Sequence, residues 1–109
     1  TNSSIHESYN RCVTIHDTQG AQVIGNTCFD HFGHGFFLES GNETGNIIQG
    51  NLGIQSKKVE FDKALLVSDY NEAPADRFPG PSTYWISNPN NDVRFNVAIG
   101  SDNACRFFS

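Results

Sequence analysis

The sequence contains a repeat of about 24 residues. Asn followed by alternating apolar residues opens NSSIH at position 2, NTCFD at 26, NLGIQ at 51 and NVAIG at 96, in steps of 24, 25 and 45 residues. A second pattern travels with it, in VTIHD at 13, FFLES at 36 and YWISN at 84, in steps of 23 and 48. The long step in each series equals one ordinary step plus an insertion. Such a period indicates one structural unit stacked on the next.

Each repeat contains short runs in which apolar residues alternate with polar ones, and Gly, Asn or Ser bounds each run. Period 2 of this kind predicts β-strands. Strands that recur without helices between them predict a parallel β-helix of three to four coils, with neighbouring coils about 4.8 Å apart. A β-sandwich with coincidental Asn spacing is the alternative.

In the β-helix, the larger apolar residues of each run are expected to be buried in stacked columns, and Leu52 is expected on the same face as Ile54. The expected core positions are Val13, Ile15, Phe36, Leu38, Ile54, Tyr84, Ile86, Val97 and Ile99. Asn26, Asn51 and Asn96 should align at one corner, because Asn tolerates a left-handed backbone and stacked amides can hydrogen-bond along the column.

Residues 1–109 are expected to form a single β-helix segment, an excerpt of a longer chain. Residues 56–81 contain three of the four Pro and are predicted to be a structured inserted loop, because apolar residues such as Phe61, Leu65 and Tyr70 must pack somewhere. Few coils leave open sheet edges at both ends. Neighbouring β-helix coils or identical subunits are therefore the expected partners.

Composition excludes several classes of partner. The net charge is -5, with seven scattered Lys and Arg, so the basic surface that nucleic acid demands is absent. No run approaches the roughly 18 apolar residues of a membrane span, so this segment is not expected to insert into a membrane. The three Cys (Cys12, Cys28 and Cys105) form no CxxC motif and their pairing is open.

Two sequons permit N-glycosylation, at Asn2 and at Asn42. Asn42 is the better candidate because Gly flanks its turn. Asn26 also begins an Asn-Thr-Cys triplet, but its place in the corner column predicts that its amide is occupied.

The blocks SIHESYNRCVTIHDT, GHGFFLESGNETGNIIQGNLGI and YWISNPNNDVRFNVAIGS resemble the β-helix region of fibrocystin-like proteins and of the cell-migration-inducing hyaluronan-binding proteins. The resemblance implies a right-handed parallel β-helix in a large extracellular or cell-surface protein. Some relatives bind and depolymerise hyaluronan, whereas the fibrocystin side consists of surface receptors. The resemblance carries no catalytic residues over to this chain.

Candidate ligand-binding residues lie on the outward faces of the strands. His6, Asp30 and Gln55 are expected to share one outward column, and His16, Glu39 and Ser87 another, with Arg11 nearby. A carboxylate there could serve as a general base, and His or Arg could balance the charge of a uronate. Phe37 and Trp85 should also face outward, as sugar platforms or as an interface. Ordinary solvated strand faces are the alternative.

Neither a metal nor a cofactor is predicted. His6, His16, Asp30 and Glu39 offer imidazole and carboxylate ligands, but their spacing lacks a tight pair. The leading functional hypothesis is a carbohydrate-associated binding scaffold that contacts an acidic polysaccharide such as hyaluronan. A purely structural stacking module of a surface receptor or filament is the alternative, and part of a hyaluronan-depolymerising enzyme is the third.

Overall fold

The structure is a computed structural model that describes residues 1–60, Lys63 and residues 80–107. Its strands are β1 (Ser4–His6), β2 (Val13–Ile15), β3 (Gln22–Ile24), β4 (Thr27–Phe32), β5 (Phe36–Leu38), β6 (Ile47–Gln49), β7 (Leu52–Lys57), β8 (Ser82–Ile86), β9 (Asp92–Arg94), β10 (Val97–Ile99) and β11 (Asn103–Phe107). Most of the insertion predicted at 56–81, with Phe61, Leu65 and Tyr70, lies outside the described residues. Within the described part, no helix is long and apolar enough to cross a membrane.

The strands form three parallel sheets that the chain visits in turn. Their orders are β1-β4-β7-β10, β11-β8-β5-β2 and β3-β6-β9. Each sheet therefore adds one strand every time the chain returns to it, which is the topology that the repeat predicts. Every pairing is parallel, whereas a β-sandwich consists of antiparallel sheets.

The corner before the first sheet is held by an amide ladder, a column of Asn side chains that bond along the stack. The side-chain Oδ1 of Asn51 accepts the main-chain N–H of Asn26 at 2.9 Å and its Nδ2 at 3.1 Å. Asn96 receives the same two bonds from Asn51, at 2.9 and 3.0 Å. The alignment of Asn26, Asn51 and Asn96 is thus confirmed. Below them the ladder continues with Ser3, whose N–H donates to Asn26 Oδ1, so the first repeat is in register from Ser3 and not from Asn2.

A second amide ladder, which the repeat analysis missed, holds the corner before the third sheet. Asn46 Oδ1 accepts the N–H of Ala21 at 2.8 Å, and Asn91 Oδ1 accepts the N–H of Asn46 at 2.9 Å. Asn46 Nδ2 also donates to Asn91 Oδ1 at 3.0 Å. Two of the three corners are therefore locked by stacked side-chain amides.

The core contains the expected columns of the second sheet. Phe36 and Tyr84 stack with their ring centroids 4.9 Å apart, and Leu38 pairs with Ile15 of the neighbouring strand. The buried residues confirmed from this sheet are Ile15, Phe36, Leu38, Tyr84 and Ile86, and Val13 packs against them half-buried. Val23 and Ile48 complete the core from the third sheet.

The expected burial of the first sheet's apolar residues is wrong. Val97 is 50% exposed and Ile99 is 54% exposed, and Leu52 and Ile54 share their columns at intermediate burial. The inward column consists instead of Ile5 in the first turn and the small residues Cys28, Gly53 and Ala98 in the later turns. A Cβ on Gly53 would meet the Thr83 and Phe36 side chains, so the second sheet already fills this space and large side chains must turn outward.

The expected outward column of His6, Asp30 and Gln55 is correct for Asp30 and Gln55 but wrong for His6. His6 pairs with Phe29, and Glu7 takes the place beside Asp30. Glu7, Asp30 and Gln55 all have left-handed backbones, with φ of 54°, 57° and 56°. This shared bend reverses the alternation, so that the next residue of each strand turns inward.

Two fully buried histidines lie at the corner that follows this bend. Burial lowers the pKa of His31 to about 4, with Asp30 opposing and Lys57 reinforcing the shift. For His34, burial followed by the Arg11 guanidinium lowers the pKa to about 3. Both imidazoles are therefore neutral in the folded chain at neutral pH.

We expect Asn51→Ala to lower the free energy of unfolding by about 3 kcal/mol, because it leaves the buried N–H groups of Asn26 without an acceptor. Ser3→Ala is the control, since the exposed Ser3 side chain lies at the end of the ladder, and it should cost less than about 0.5 kcal/mol. Urea unfolding of both variants measures the difference. Equal effects of the two substitutions would contradict the ladder's role.

The two histidines predict acid destabilisation well above the pH at which carboxylates protonate. Below pH 6.5 the unfolded chain gains a proton on each imidazole that the folded chain does not bind until about pH 4 or about pH 3. The free energy of unfolding should therefore fall as pH drops, by about 1.4 kcal/mol per pH unit for each histidine. Chemical unfolding between pH 6.5 and 5 measures this slope, and His34→Gln should halve it. A flat profile would contradict the buried neutral assignment.

Candidate functional site

The six candidate residues do not form one site. The structure places them in three groups, His16 with Glu39, Arg11 with Trp85, and His6 near Asp30. The third group borders a groove whose principal residues the sequence analysis did not identify.

This groove lies on the outer surface where the chain passes from the first sheet to the second. One cavity of about 190 Å³ is lined by Glu7, Ser8, Tyr9, Asp30, Phe32 and Lys57. A cavity of about 280 Å³ shares Tyr9 and Phe32 and adds Val59, Glu60 and Lys63 from the described part of the chain. We call the two cavities together the Tyr9 groove, because Tyr9 is 92% exposed and belongs to both.

The strand register explains why three of these side chains meet. Phe32 pairs with Lys57 across adjacent strands. The N–H of Phe32 donates to Ser8 O at 3.2 Å, which places the next residue, Tyr9, beside Phe32. Asp30 and its left-handed backbone come two residues before Phe32, so Phe32 turns outward while His31 turns in. The Tyr9 ring, the Phe32 ring and the Lys57 ammonium thus lie in successive turns of the stack.

The charges of the Tyr9 groove are arranged around Lys57. Its Nζ lies 2.6 Å from Asp30 Oδ1 and 4.4 Å from the centroid of the Phe32 ring. At the other side of the groove, His6 Nδ1 lies 3.3 Å from Glu7 Oε2. The Lys57 side chain keeps 40% of its exposure, so its ammonium can still meet an anionic ligand. The carboxylates offer acceptors for hydroxyl groups.

Arg11 and Trp85 belong to a second cluster on the outer face of the second sheet. His34 stacks parallel to Phe37 at 5.2 Å and lies 4.5 Å from Trp85, ring centroid to ring centroid. The Arg11 guanidinium sits 4.5 Å from the Phe37 ring, and that of Arg106 sits 5.9 Å from the Trp85 ring. Phe37 and Trp85 are only 2% and 9% exposed. They are therefore packed residues in this structure and present no open face to a sugar.

His16 and Glu39 are brought together as the register predicted. His16 Nδ1 lies 3.1 Å from Glu39 Oε2, and its Nε2 lies 3.2 Å from Asp17 Oδ2. All three side chains are more than 40% exposed. Exposed pairs of this kind contribute about 0–1 kcal/mol, so the geometry fits a solvated corner as well as a ligand contact.

Glu43, which the sequence analysis did not single out, organises the turn behind this corner. Its buried carboxylate accepts the N–H of Ser40 at 3.0 Å, that of Gly41 at 2.8 Å and that of Asp17 at 3.3 Å. Burial raises its pKa, but these backbone donors outweigh burial and the net pKa is lowered. His16, Asp17 and Glu43 have ligand atoms within 4.8 Å of one another. Because the Glu43 oxygens are occupied by the backbone, the cluster is explained by the turn itself.

The cysteine pairing left open by the sequence is a disulfide between Cys12 and Cys28, with Cα atoms 6.1 Å apart. Cys105 is free and exposed. His31 lies beside the disulfide, and Cys12, Cys28 and His31 also have potential metal-ligating atoms within 4.8 Å of one another. With both sulfurs in the disulfide, neither is available as a thiolate ligand.

A signal for the Tyr9 groove was present in the sequence. Tyr9, Phe32 and Lys57 are separated by 23 and 25 residues, nearly the same steps as the Asn series. These three residues follow the left-handed bend in each turn, where the period-2 strand pattern no longer applies.

The comparison with known proteins covers the whole chain. A family model described as the CEMIP beta-helix matches residues 1–109. Fibrocystin-L of Mus musculus is 40% identical over 97 residues, which cover 89% of this chain and 2% of that protein. Cell surface hyaluronidase CEMIP2 of Homo sapiens is 37% identical, with 93% of this chain and 8% of that protein covered. The human cell migration-inducing and hyaluronan-binding protein is 32% identical, with 91% of this chain and 8% of that protein covered.

The chain therefore spans 2% to 8% of the length of these relatives. Its parallel sheets and amide ladders are found over the same residues that the family model matches. The resemblance drawn from the sequence blocks is confirmed, and the chain belongs to the CEMIP β-helix family.

Proposed function

We propose that this chain is part of a cell-surface carbohydrate-binding scaffold, and that the Tyr9 groove contacts an acidic polysaccharide such as hyaluronan. The scaffold is a right-handed parallel β-helix of three to four coils, with residues 56–81 as its inserted loop. The observation that carries the proposal is the exposed Tyr9 ring beside the Phe32 ring and the Lys57 ammonium.

Tyr9 is the most exposed large hydrophobic side chain in the part of the chain that the structure describes. A Tyr ring combines an apolar face with a polar hydroxyl, and such side chains are enriched where proteins bind partners. Sugar rings offer the matching surface, since one face carries C–H groups and the rim carries hydroxyls. Tyr9 and Phe32 border both cavities, so a chain of sugars could contact both rings in succession.

The cations of the groove supply the charge that a uronate requires. Lys57 belongs to one cavity and Lys63 to the other, and each is paired with a carboxylate of the same cavity, Asp30 and Glu60, with which a uronate would compete. The whole chain carries a net charge of -5, so a polyanion would be repelled from most of the surface and attracted only where cations are placed. Relatives named as a cell surface hyaluronidase and as a hyaluronan-binding protein support this class of ligand.

A structural role is the second candidate, and the last turn of the stack favours it. A cavity of about 270 Å³ opens there, lined by Tyr84, Val93, Ala98, Cys105, Phe107 and their neighbours. β10 and β11 are each the outermost strand of a sheet, and such edges invite further pairing. A neighbouring β-helix coil or an identical subunit would cover both the cavity and the edges. Contribution to a hyaluronan-depolymerising enzyme is third and would use the groove as a substrate contact.

We expect Tyr9→Ala to weaken hyaluronan binding about tenfold, which corresponds to about 1.4 kcal/mol. Lys57→Gln should weaken it too and reduce its salt dependence, because an ion pair with the uronate is lost. Phe95→Ala is the matched control, since Phe95 is 76% exposed but lies outside the Tyr9 groove. Calorimetric titration of the full chain with hyaluronan oligosaccharides measures all three. Equal weakening by Phe95→Ala, or no binding by the parent chain, would contradict the assignment.

The surface setting predicts glycan on Asn42, and on Asn2 as the second site. Asn42 is exposed in its turn. One N–H of its Nδ2 donates to Asp17 Oδ1 at 2.8 Å, and the second N–H is the position that a glycan would replace. Asn26 should carry none, because it is 6% exposed and its Nδ2 donates to Asn51. Peptide mass spectrometry of protein from its native source decides the matter. Unmodified Asn42, or glycan on Asn26, would contradict the prediction.

A further inference from the structure

The Cys12–Cys28 disulfide joins two successive turns of the chain next to the Tyr9 groove, and its two sulfurs have different surroundings. Cys28 is completely buried in the inward column of the first sheet. Cys12 is only partly buried and follows the groove segment, three residues after Tyr9. An external thiol would therefore reach Cys12 and not Cys28, and access is one of the factors that decide which sulfur exchanges.

Behind the disulfide lies a chain of buried hydrogen bonds. His31 Nδ1 is 2.9 Å from Cys28 Sγ, and His31 Nε2 is 2.7 Å from Ser56 Oγ. Ser56 Oγ is 3.2 Å from Thr83 Oγ1, which donates to Ser101 Oγ at 2.9 Å. Ser101 Oγ then donates to a backbone carbonyl, Asn103 O, at 2.7 Å. The chain thus connects a buried sulfur to the last turn of the stack.

The protons of this chain can be assigned by counting. The Asn103 carbonyl can only accept, so Ser101 donates to it, and Thr83 donates to Ser101. Each hydroxyl has one proton, so Ser56 must donate to Thr83 if every contact from His31 Nε2 to the Asn103 carbonyl is to hold a proton. His31 Nε2–H then donates to Ser56. The Nδ1 lone pair of His31 is then directed at Cys28 Sγ. Once the disulfide is reduced, the Cys28 thiol can donate its proton to that lone pair.

We propose that Cys12 is a site of reversible mixed-disulfide formation with low-molecular-weight thiols, and that Cys28 is the resolving cysteine, with His31 as its base. In the closing step, the Cys28 sulfur attacks the Cys12 sulfur of the mixed disulfide. The Cys28 thiol proton passes to His31 Nδ1, a Cys12–Cys28 bond forms, and the bond to the small thiol breaks. The departing thiolate takes up the proton that His31 releases. One disulfide replaces another, so no further oxidant is needed.

The fold makes this contact specific. His31 reaches the interior only because Asp30 adopts the left-handed backbone before it. Gly35 closes over the imidazole, since a Cβ there would lie 3.1 Å from His31 Nε2 and 2.6 Å from Thr83 O. Gly35 therefore leaves the space that the ring needs beside the sulfur. The charged groups that act on it are Asp30 and Lys57.

The first test compares the two sulfurs in a Cys105→Ser background, which removes the exposed free thiol. Cys12→Ser and Cys28→Ser form a matched pair, and oxidised glutathione is the probe, with a chelator present to exclude metal binding. We expect the Cys28→Ser protein, which retains Cys12, to take up glutathione at least tenfold faster than the Cys12→Ser protein. Intact-mass measurement follows the uptake. Equal rates would overturn the proposal, whether they arise from unfolding or from access in the folded chain.

The second test addresses His31. The Cys105→Ser protein is reduced and freed of reductant, glutathione disulfide is added, and samples are quenched with acid. We expect His31→Gln to slow closure about tenfold or more at neutral pH and to accumulate the mixed disulfide on Cys12. In that variant the closure rate should rise more steeply with pH, because the Cys28 thiol must ionise without a base. Ser56→Ala, which keeps the imidazole, should close faster than His31→Gln. Closure by His31→Gln at the parent rate and with the parent pH profile would overturn the role of His31.

Discussion

Stacked side-chain amides hold the successive turns of the chain in register. An Asn side chain in each ladder accepts the main-chain N–H of the turn below, as Asn51 does for Asn26 and Asn91 does for Asn46. Each such bond satisfies a buried backbone donor and fixes one turn of the chain directly above the next. Because two corners are fixed in this way, strands of three residues suffice in β2, β3, β5, β6 and others. Short strands would otherwise hold their register weakly.

The amides also explain which part of the fold the sequence predicts. The spacing of Asn26, Asn51 and Asn96 determines the period and the parallel topology, and both follow from local pattern alone. Which face of the strand after each Asn points inward was not predicted correctly from the pattern of apolar residues. Since the Asn side chain points inward, the second residue after it points inward too, which places Gly53 in the core and Ile54 outside. The hydrophobicity of Ile54 alone predicts the opposite orientation, with Ile54 inside. That prediction fails because the Phe36 and Tyr84 rings of the second sheet already fill the interior.

The candidate site shows the same limit in a different form. His16 and Glu39 meet because they immediately follow paired strands, where the register still holds. Trp85 faces outward as alternation predicts, but its burial under neighbouring groups is a tertiary property that no local pattern shows. Tyr9 and Lys57 were missed because a left-handed residue lies between them and the strand pattern, and such a bend shifts the alternation by one. Extension of the repeat period through the turns would have recovered them.

Among the described residues, no amide ladder bonds the third corner of the stack, and the groove of the proposed function lies there. The Tyr9 groove, the Cys12–Cys28 disulfide and the start of the His31 hydrogen-bond chain lie there. A ladder Asn such as Asn46 stands directly before its strand, but the ladder does not fix the length of the preceding segment, since residues 16–21, 39–46 and 87–91 lead to the three strands of the third sheet. Because the two corners with ladders hold the register of the strands, the third corner can present a groove and a disulfide. The stacked amides stabilise two corners, and the proposed ligand contacts lie at the third.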